Sequence, residues 1–306
     1  MDPLLDVMGL LRPRAALFGG GLDASGAWGL SFRQRHDLLF CWIERGECQL
    51  IRPNAAPVSL QQGDFALVYT STPFTLASDS ATMAVDSETA VAAAKSMRLT
   101  LGSGEDRRVT LHAGKFLMDK ANTHLMAGLF PPLVHLASSD ASLQRVRALL
   151  TMNEMEAREP GPASEFIIVR LVELILVEVL RSHRLYLGEK SSGLLAGLAD
   201  PVVQRALAAM HHDVARNWTV DELAKQCAVS RSSLAVRFRE VVGTTPIAYL
   251  LDWRMALAKD KLSRGNNSVS QIAFAIGFQS ASAFTTAFTR AVGCPPGRFA
   301  RQRAAP

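Results

Sequence analysis

A chain of 306 residues has room for two domains, and 48% hydrophobic with 20% charged residues is the composition of a soluble globular protein and not of a disordered one. No uncharged apolar run of about 18 residues occurs. The nearest, 167–180, is interrupted by Arg170, Glu173 and Glu178, so no membrane span is expected. The net charge of +5 is uneven: from Pro201 onward 14 Lys+Arg meet 6 Asp+Glu, leaving 19 against 22 before it. A basic rear half behind a mildly acidic front half suggests that only the rear meets a polyanion. The Met-Asp-Pro start lacks a basic segment followed by an apolar run, and Cys41, Cys48, Cys227 and Cys294 show no metal-like spacing. A cytoplasmic protein with reduced thiols is expected.

In chain order, Pro3–Leu11 reads as a short helix. Short apolar or alternating runs follow at 29–32, 38–43, 48–51, 58–60, 65–69 and 74–76, and one more at 109–116. Turn signals part them at Arg45-Gly46-Glu47, Arg52-Pro53-Asn54, Gln62-Gly63-Asp64 and Ser71-Thr72-Pro73. Many short strands at this spacing predict a sandwich or barrel. Helical periodicity takes over after Ser138, with Leu143, Val146, Leu149 and Leu150 on one face, until Glu159-Pro160-Gly161-Pro162 breaks it. A second helix, 164–187, confines Arg170, Glu173, Arg181 and Arg184 to a narrow polar stripe, so most of its circumference must be covered. Its own domain or the same helix of a second copy could do this, and a homodimer contact is expected. The fold class is thus α+β. A domain over 1–187 has strands to about 137 and helices over about 142–187, a linker follows over 188–200, and an all-α domain occupies 201–306.

The strongest signal is an internal repeat. Thr219-Val-Asp-Glu222, Leu223-Ala224, Ala228-Val229-Ser230, Leu234, Phe238, Gly243 and Pro246 recur as Ser268-Val-Ser-Gln271, Ile272-Ala273, Gly277-Phe278-Gln279, Phe284, Phe288, Gly293 and Pro296. The offset is 49 residues up to the turn and 50 beyond it. Thr219 and Ser268 open capping boxes, Ala224 and Ala273 let two helices cross closely, and each glycine closes a helix in a left-handed conformation. Two helix-turn-helix units are predicted, 219–243 and 268–293, joined by a helix over 246–263. With Leu234 and Phe238 inward, the outward face of the first recognition helix carries Ser232, Ala235, Val236 and Arg239; the second carries Ser282, Thr285, Thr286 and Thr289. Such helices place their N-terminal residues on base edges of two adjacent major grooves, about 34 Å apart on double-stranded DNA. Lys225, Arg231, Arg237, Arg239 and Arg290 are candidate phosphate partners.

These residues, with Arg254, Ala258 and Leu262 on the connecting helix and Gly277-Phe278, Pro295-Pro296 and Phe299, resemble the DNA-binding region of the AraC/XylS family of transcription regulators, over 218–299. The resemblance places base reading on Ser232, Ala235, Val236, Ser282, Thr285 and Thr286. Ala235 and Val236 depart from the long polar side chains common there; they can touch a thymine methyl but donate no hydrogen bond. Residues 1–137 resemble the cupin-like sensor domain of a branch of that family. Asp2-Pro3-Leu4, Ala15-Ala16-Leu17-Phe18, Trp28-Gly29-Leu30, the turn at 44–46, Gly63-Asp64 and Leu129-Phe130-Pro131-Pro132-Leu133 carry it. Only His36, His112, His124 and His135 are at hand there, with no His-x-His, so neither a metal nor another cofactor is expected. The resemblance implies a non-enzymatic, ligand-responsive regulator with a small-molecule effector in its front domain, and RNA polymerase as a further partner. Phe40, Trp42 and Phe74 are the candidates to face that effector, with core packing as their alternative reading. A cupin enzyme with a helical tail, and a front domain that only dimerises, are the other readings.

Overall fold

The computed structural model describes residues 2–304 except 19, 95, 97, 105, 107, 119–121, 123–129, 141–143, 187–192 and 266, and the backbone alone at 157, 158, 182–186, 303 and 304. The predicted roles of His124, Leu129, Leu143, Arg184 and linker positions 188–192 lie outside the described residues. Contacts divide the chain into two compact units.

One unit takes Pro13–Leu117 and Phe130–His183. After helix α1 (Pro3–Leu11), its strands are β1 (Arg14–Leu17), β2 (Leu22–Ser25), β3 (Gly29–Phe32), β4 (Leu38–Arg45), β5 (Glu47–Ile51) and β6 (Val58–Gln61). Then come β7 (Phe65–Tyr69), β8 (Phe74–Ala77), β9 (Val85–Asp86), α2 (Ser87–Ala93), β10 (Leu99–Gly102), β11 (Val109–Leu117) and β12 (Leu133–Leu136). One sheet runs β10-β2-β11-β4-β7-β12 with β1 also on β11, and the other runs β6-β5-β8-β3-β9. The pairs are antiparallel except β10 with β2 and β3 with β9. The helices α3 (Gln144–Arg158) and α4 (Ser164–Tyr186) complete the unit.

The sequences of β4 and β7 are apolar at nearly every position because both faces of these strands are buried. Alternation sends Cys41, Ile43, Ala66 and Val68 into a core shared with Trp28, Leu30, Cys48, Leu50, Phe74 and Leu76 of the second sheet. Phe40, Trp42 and Phe65 point the other way, stacked along the strands with ring centroids 6.3 to 6.4 Å apart. The three residues proposed to face an effector therefore do not share a surface. Phe74 lies between the sheets, stacked on Phe32 at 4.5 Å, while Phe40 and Trp42 are buried on the opposite face. The tight turn into β7 is held by Asp64, a buried carboxylate that accepts from the Gln61 and Ser138 amides and from His135 Nε2. Burial pushes its pKa up, but these hydrogen bonds outweigh burial and hold it below the usual carboxylate value.

The other unit takes Met1–Arg12, Met118–Leu129 and Arg184–Pro306. Its helices are α5 (Leu194–Ala199), α6 (Pro201–His212), α7 (Val220–Gln226), α8 (Arg231–Val242), α9 (Pro246–Arg264), α10 (Val269–Ala275), α11 (Ala281–Val292) and α12 (Pro296–Ala304). Two segments differ from the boundaries expected from sequence. Residues 194–199, read as linker, form a helix because Leu194, Leu195 and Leu198 are apolar and buried; a Cβ on Gly197 would meet Leu207 at 3.0 Å. Helix α1, read as the start of the front domain, belongs to the helical unit. Its Leu4, Val7, Leu10 and Leu11 are buried, Asp6 Oδ2 lies 3.1 Å from His211 Nδ1 on α6, and Arg12 pairs with Asp260 on α9 at 2.7 Å. The imidazole of His211 also reaches Tyr249 Oη at 2.8 Å and stacks on Trp253 at 4.2 Å.

Burial lowers the pKa of His112 and of His211, in each case against a partial rise from a carboxylate, Glu44 or Asp6. Neutral in the fold, both rings take up protons on unfolding below about pH 6.5, so their share of stability is complete above that pH and lost as pH falls through it, at up to about 1.4 kcal/mol per pH unit each. The urea midpoint should therefore drop between about pH 7.5 and about pH 5.5, and the drop should shrink in His112→Gln. A midpoint that does not move would show that these rings ionise unhindered in the folded chain.

Candidate nucleic-acid interface

Each predicted helix start is closed as a capping box. Thr219 Oγ1 accepts from the Glu222 amide at 3.2 Å while Glu222 Oε2 accepts from the Thr219 amide at 2.9 Å. Ser268 and Gln271 repeat this at 3.2 and 2.8 Å. Two orphan amides are satisfied at each site, so helices of only seven residues, α7 and α10, begin at fixed positions. Buried Ala224 and Ala273 sit where the helices cross, and Ser230 and Ser280 cap the recognition helices α8 and α11. The sequence repeat put Gln279 opposite Ser230, with a single insertion near Ser280; the structure gives the capping role of the second unit to Ser280.

In the turn between the two helices of each unit, one residue adopts a left-handed conformation: Ala228 at φ 56° in the first, Gly277 at φ 87° in the second. Sequence spacing aligned these positions without revealing the strain at Ala228. At Gly277 a side chain is also sterically excluded, since a Cβ would lie 2.3 Å from the Ala215 carbonyl oxygen and 2.7 Å from Arg254 Nη2. Arg254 had stood only as part of the family resemblance. On α9 its Nε donates to the Val214 carbonyl at 2.9 Å and its Nη2 to the Arg216 carbonyl at 2.8 Å, so one guanidinium joins the connecting helix, the segment entering the first unit and the turn of the second.

Leu234, Phe238, Phe284 and Phe288 are fully buried, which turns the predicted reading faces outward. Ser232, Val236, Ser282 and Thr286 are exposed, Val236 to 58%, whereas Ala235 and Thr285 are half-buried. The Thr285 hydroxyl donates to the Ala281 carbonyl at 2.7 Å, which leaves it an acceptor toward any base edge. Lys225, Arg231, Arg239 and Arg290 are exposed, and Arg231 pairs with Asp221 at 3.3 Å. Arg237, also expected at a phosphate, is exposed and paired. Its Nε donates at 2.7 Å to Asp200, the carboxylate that caps α6, so its charge is already matched within the unit. For Asp200, burial raises the pKa, but the Val203 amide, Arg237 and the Val202 amide more than reverse this.

A cupin family model matches residues 2–184, and a helix-turn-helix domain model matches residues 223–302. An AraC-like transcription regulator of Streptomyces lividans is 39% identical over 307 residues, covering 100% of both chains. One of Streptomyces antibioticus is 37% identical over 300 residues, covering 98% of each. The chain belongs to the AraC-like transcription regulators. As an AraC-like regulator it carries a cupin domain ahead of an AraC-type helix-turn-helix DNA-binding region. Among solved structures, the DNA-binding domain of AdpA in complex with a target DNA is 27% identical over 35% of this chain and 95% of that one, with a TM-score of 0.33. Among the described residues no helix is long and apolar enough to cross a membrane.

The two turns of this AraC-like pair should respond unequally to exchange. Gly277→Ala combines left-handed strain of about 1–2 kcal/mol with a backbone clash and should cost at least about 2 kcal/mol. Ala228→Gly relieves strain but loosens the unfolded chain, so its change should stay within about 0.5 kcal/mol. Chemical denaturation of the two variants measures both, and equal losses would contradict the asymmetry.

Proposed function

We propose that this regulator acts in the cytoplasm as a homodimer, reads two consecutive major grooves through α8 and α11, and answers to a small organic effector held by its cupin domain. The observation that carries the reading is the pair of capped, equally built units whose recognition helices expose Ser232 with Val236 and Ser282 with Thr286. Base contacts fall to these residues and to the half-buried Ala235 and Thr285, and phosphate contacts to Lys225, Arg231, Arg239 and Arg290. Arg237 serves the fold first, through Asp200. RNA polymerase is the partner through which a DNA-bound regulator acts on transcription.

The dimer reading rests on α4. Leu171, Val172, Ile175, Leu176, Val179 and Leu180 are buried, yet Phe166 and Leu174 on the same helix stay 63% and 52% exposed, and Met152 and Met155 of α3 are exposed as well. A large apolar stripe left on the surface favours a second copy of the same stripe, the self-complementary contact of a two-fold dimer. Sedimentation of Phe166→Glu/Leu174→Glu should give a monomer where the parent chain gives a dimer; an unchanged mass would refute α4 as the contact.

Thr286→Ala should lower affinity at one base position by about 1 kcal/mol, whereas Arg290→Ala should weaken all sequences alike and reduce the salt slope by about one. Binding of both variants to a randomised operator library at several salt concentrations tests this. Uniform loss in both would overturn the division of roles.

A further inference from the structure

Helix α8 turns Ser232, Ala235, Val236 and Arg239 outward, and little on that stripe can donate a hydrogen bond to a base. The Ser232 hydroxyl lies 3.0 Å from that of Ser230, the cap of the helix. Of the arginines in the first two turns, Arg231 pairs with Asp221 at 3.3 Å and Arg237 with Asp200 at 2.7 Å. Arg239 is exposed, but it stands in the last turn, away from the N-terminal residues that such a helix sets against base edges. What the reading end offers is apolar: the side chain of Val236, 58% exposed, with the half-buried methyl of Ala235 just before it.

A lone exposed valine is ordinary on a protein surface. Two features set this one apart. β-branched side chains lose χ1 freedom in a helix, so an exposed valine inside α8 weakens the helix and gains no packing in return. The repeat also puts Thr286 of α11, exposed as well, at the equivalent position 50 residues on. Valine and threonine share one branched outline and differ by exchanging a methyl for a hydroxyl. Both units thus keep the same shape at this place, and the first gives up the hydrogen bond.

The apolar group that the major groove displays is the C5-methyl of thymine. The other base edges present donors and acceptors, and covering these with Val236 would strip them of water without supplying a partner. We propose that Val236, backed by Ala235, makes the groove under α8 a thymine site, recognised through the C5-methyl rather than through hydrogen bonds. The proposal rests on the groove reading given above and adds the base that the first unit selects.

The test begins with duplexes selected by the full chain from a randomised library. Each thymine of the selected site is then replaced by deoxyuridine, which keeps the pairing and every hydrogen-bonding group and removes the methyl alone. One or two replacements should weaken binding about fourfold each, the worth of one buried methyl. Val236→Ala removes both branch methyls at an exposed helical position, where alanine is the better helix former. In that variant the same replacements should change affinity by less than about twofold. A selected site without thymine preference, uracil bound as well as thymine at every position, or an undiminished loss in Val236→Ala would overturn the thymine site. Val236→Glu separates this from failure of the groove reading, because a carboxylate on α8 inside the groove should weaken binding to every duplex about tenfold or more. Such weakening together with indifference to uracil would overturn the thymine site alone. Unchanged binding by Val236→Glu would overturn the groove reading and the thymine site with it.

Discussion

The reading unit depends on the connecting helix α9 and, within it, on Arg254. A helix shared by two small three-helix cores must bury opposite faces in each. Trp253 packs on His211 and Tyr249 on Phe238 toward the first unit, while Met255, Ala258 and Leu262 enter the core of the second with Ile272, Phe284 and Phe288. Apolar packing alone would leave the helix able to roll between the cores. The Arg254 fork removes that freedom, because its two donors are committed to carbonyls of 214 and 216 and its tip lies against the Gly277 turn. A lysine could satisfy one carbonyl, not hold a plane.

Built alike, the two units offer different chemistry. The first presents Ser232 with Ala235 and Val236, a surface of methyl groups and one hydroxyl; the second presents three hydroxyls from Ser282, Thr285 and Thr286. One of these, on Thr285, is turned into an acceptor by its bond to the Ala281 carbonyl. The left-handed turn is tolerated as an exposed alanine in the first unit and imposed as glycine in the second, where a carbonyl oxygen blocks a side chain. The repeat therefore preserves what the fold needs, caps, crossings and helix stops, and varies the outward face of its second helix.

The same distinction explains how far the sequence could be read. Caps, periodic apolar positions and closing glycines are local, so α7 to α11 were legible together with their outward faces. Strands with strong alternation or turn signals, such as β4, β7 and β11, were legible too. The four-residue β1, β2, β10 and β12 were not, since so few residues carry no periodicity of their own and pair only because β11, β2 or β7 supplies an edge. Phe40, Trp42 and Phe74 were placed on strands correctly, but which face each takes depends on a layer covering the sheet, and that is set by distant residues. Arg237 could not be told from Arg239 by spacing, because the partner that captures it, Asp200, lies 37 residues away.

Helix α1 carries this furthest. Burying Leu4, Val7, Leu10 and Leu11 is worth up to about 1.5–3 kcal/mol per side chain, far above the small net value of the half-exposed Arg12–Asp260 pair. The docking of α1 is therefore driven by its apolar face, and the ion pair and the Asp6–His211 contact fix its position. A second visitor from the front half, Asn122, is buried and donates to the Ala256 carbonyl of α9 at 3.2 Å. The DNA-binding unit is thus discontinuous in sequence, completed by residues from before β1 and from between β11 and β12. With α1 on α6 and α9 and Asn122 on α9, two segments distant in sequence pack on the helix that joins the two helix-turn-helix units.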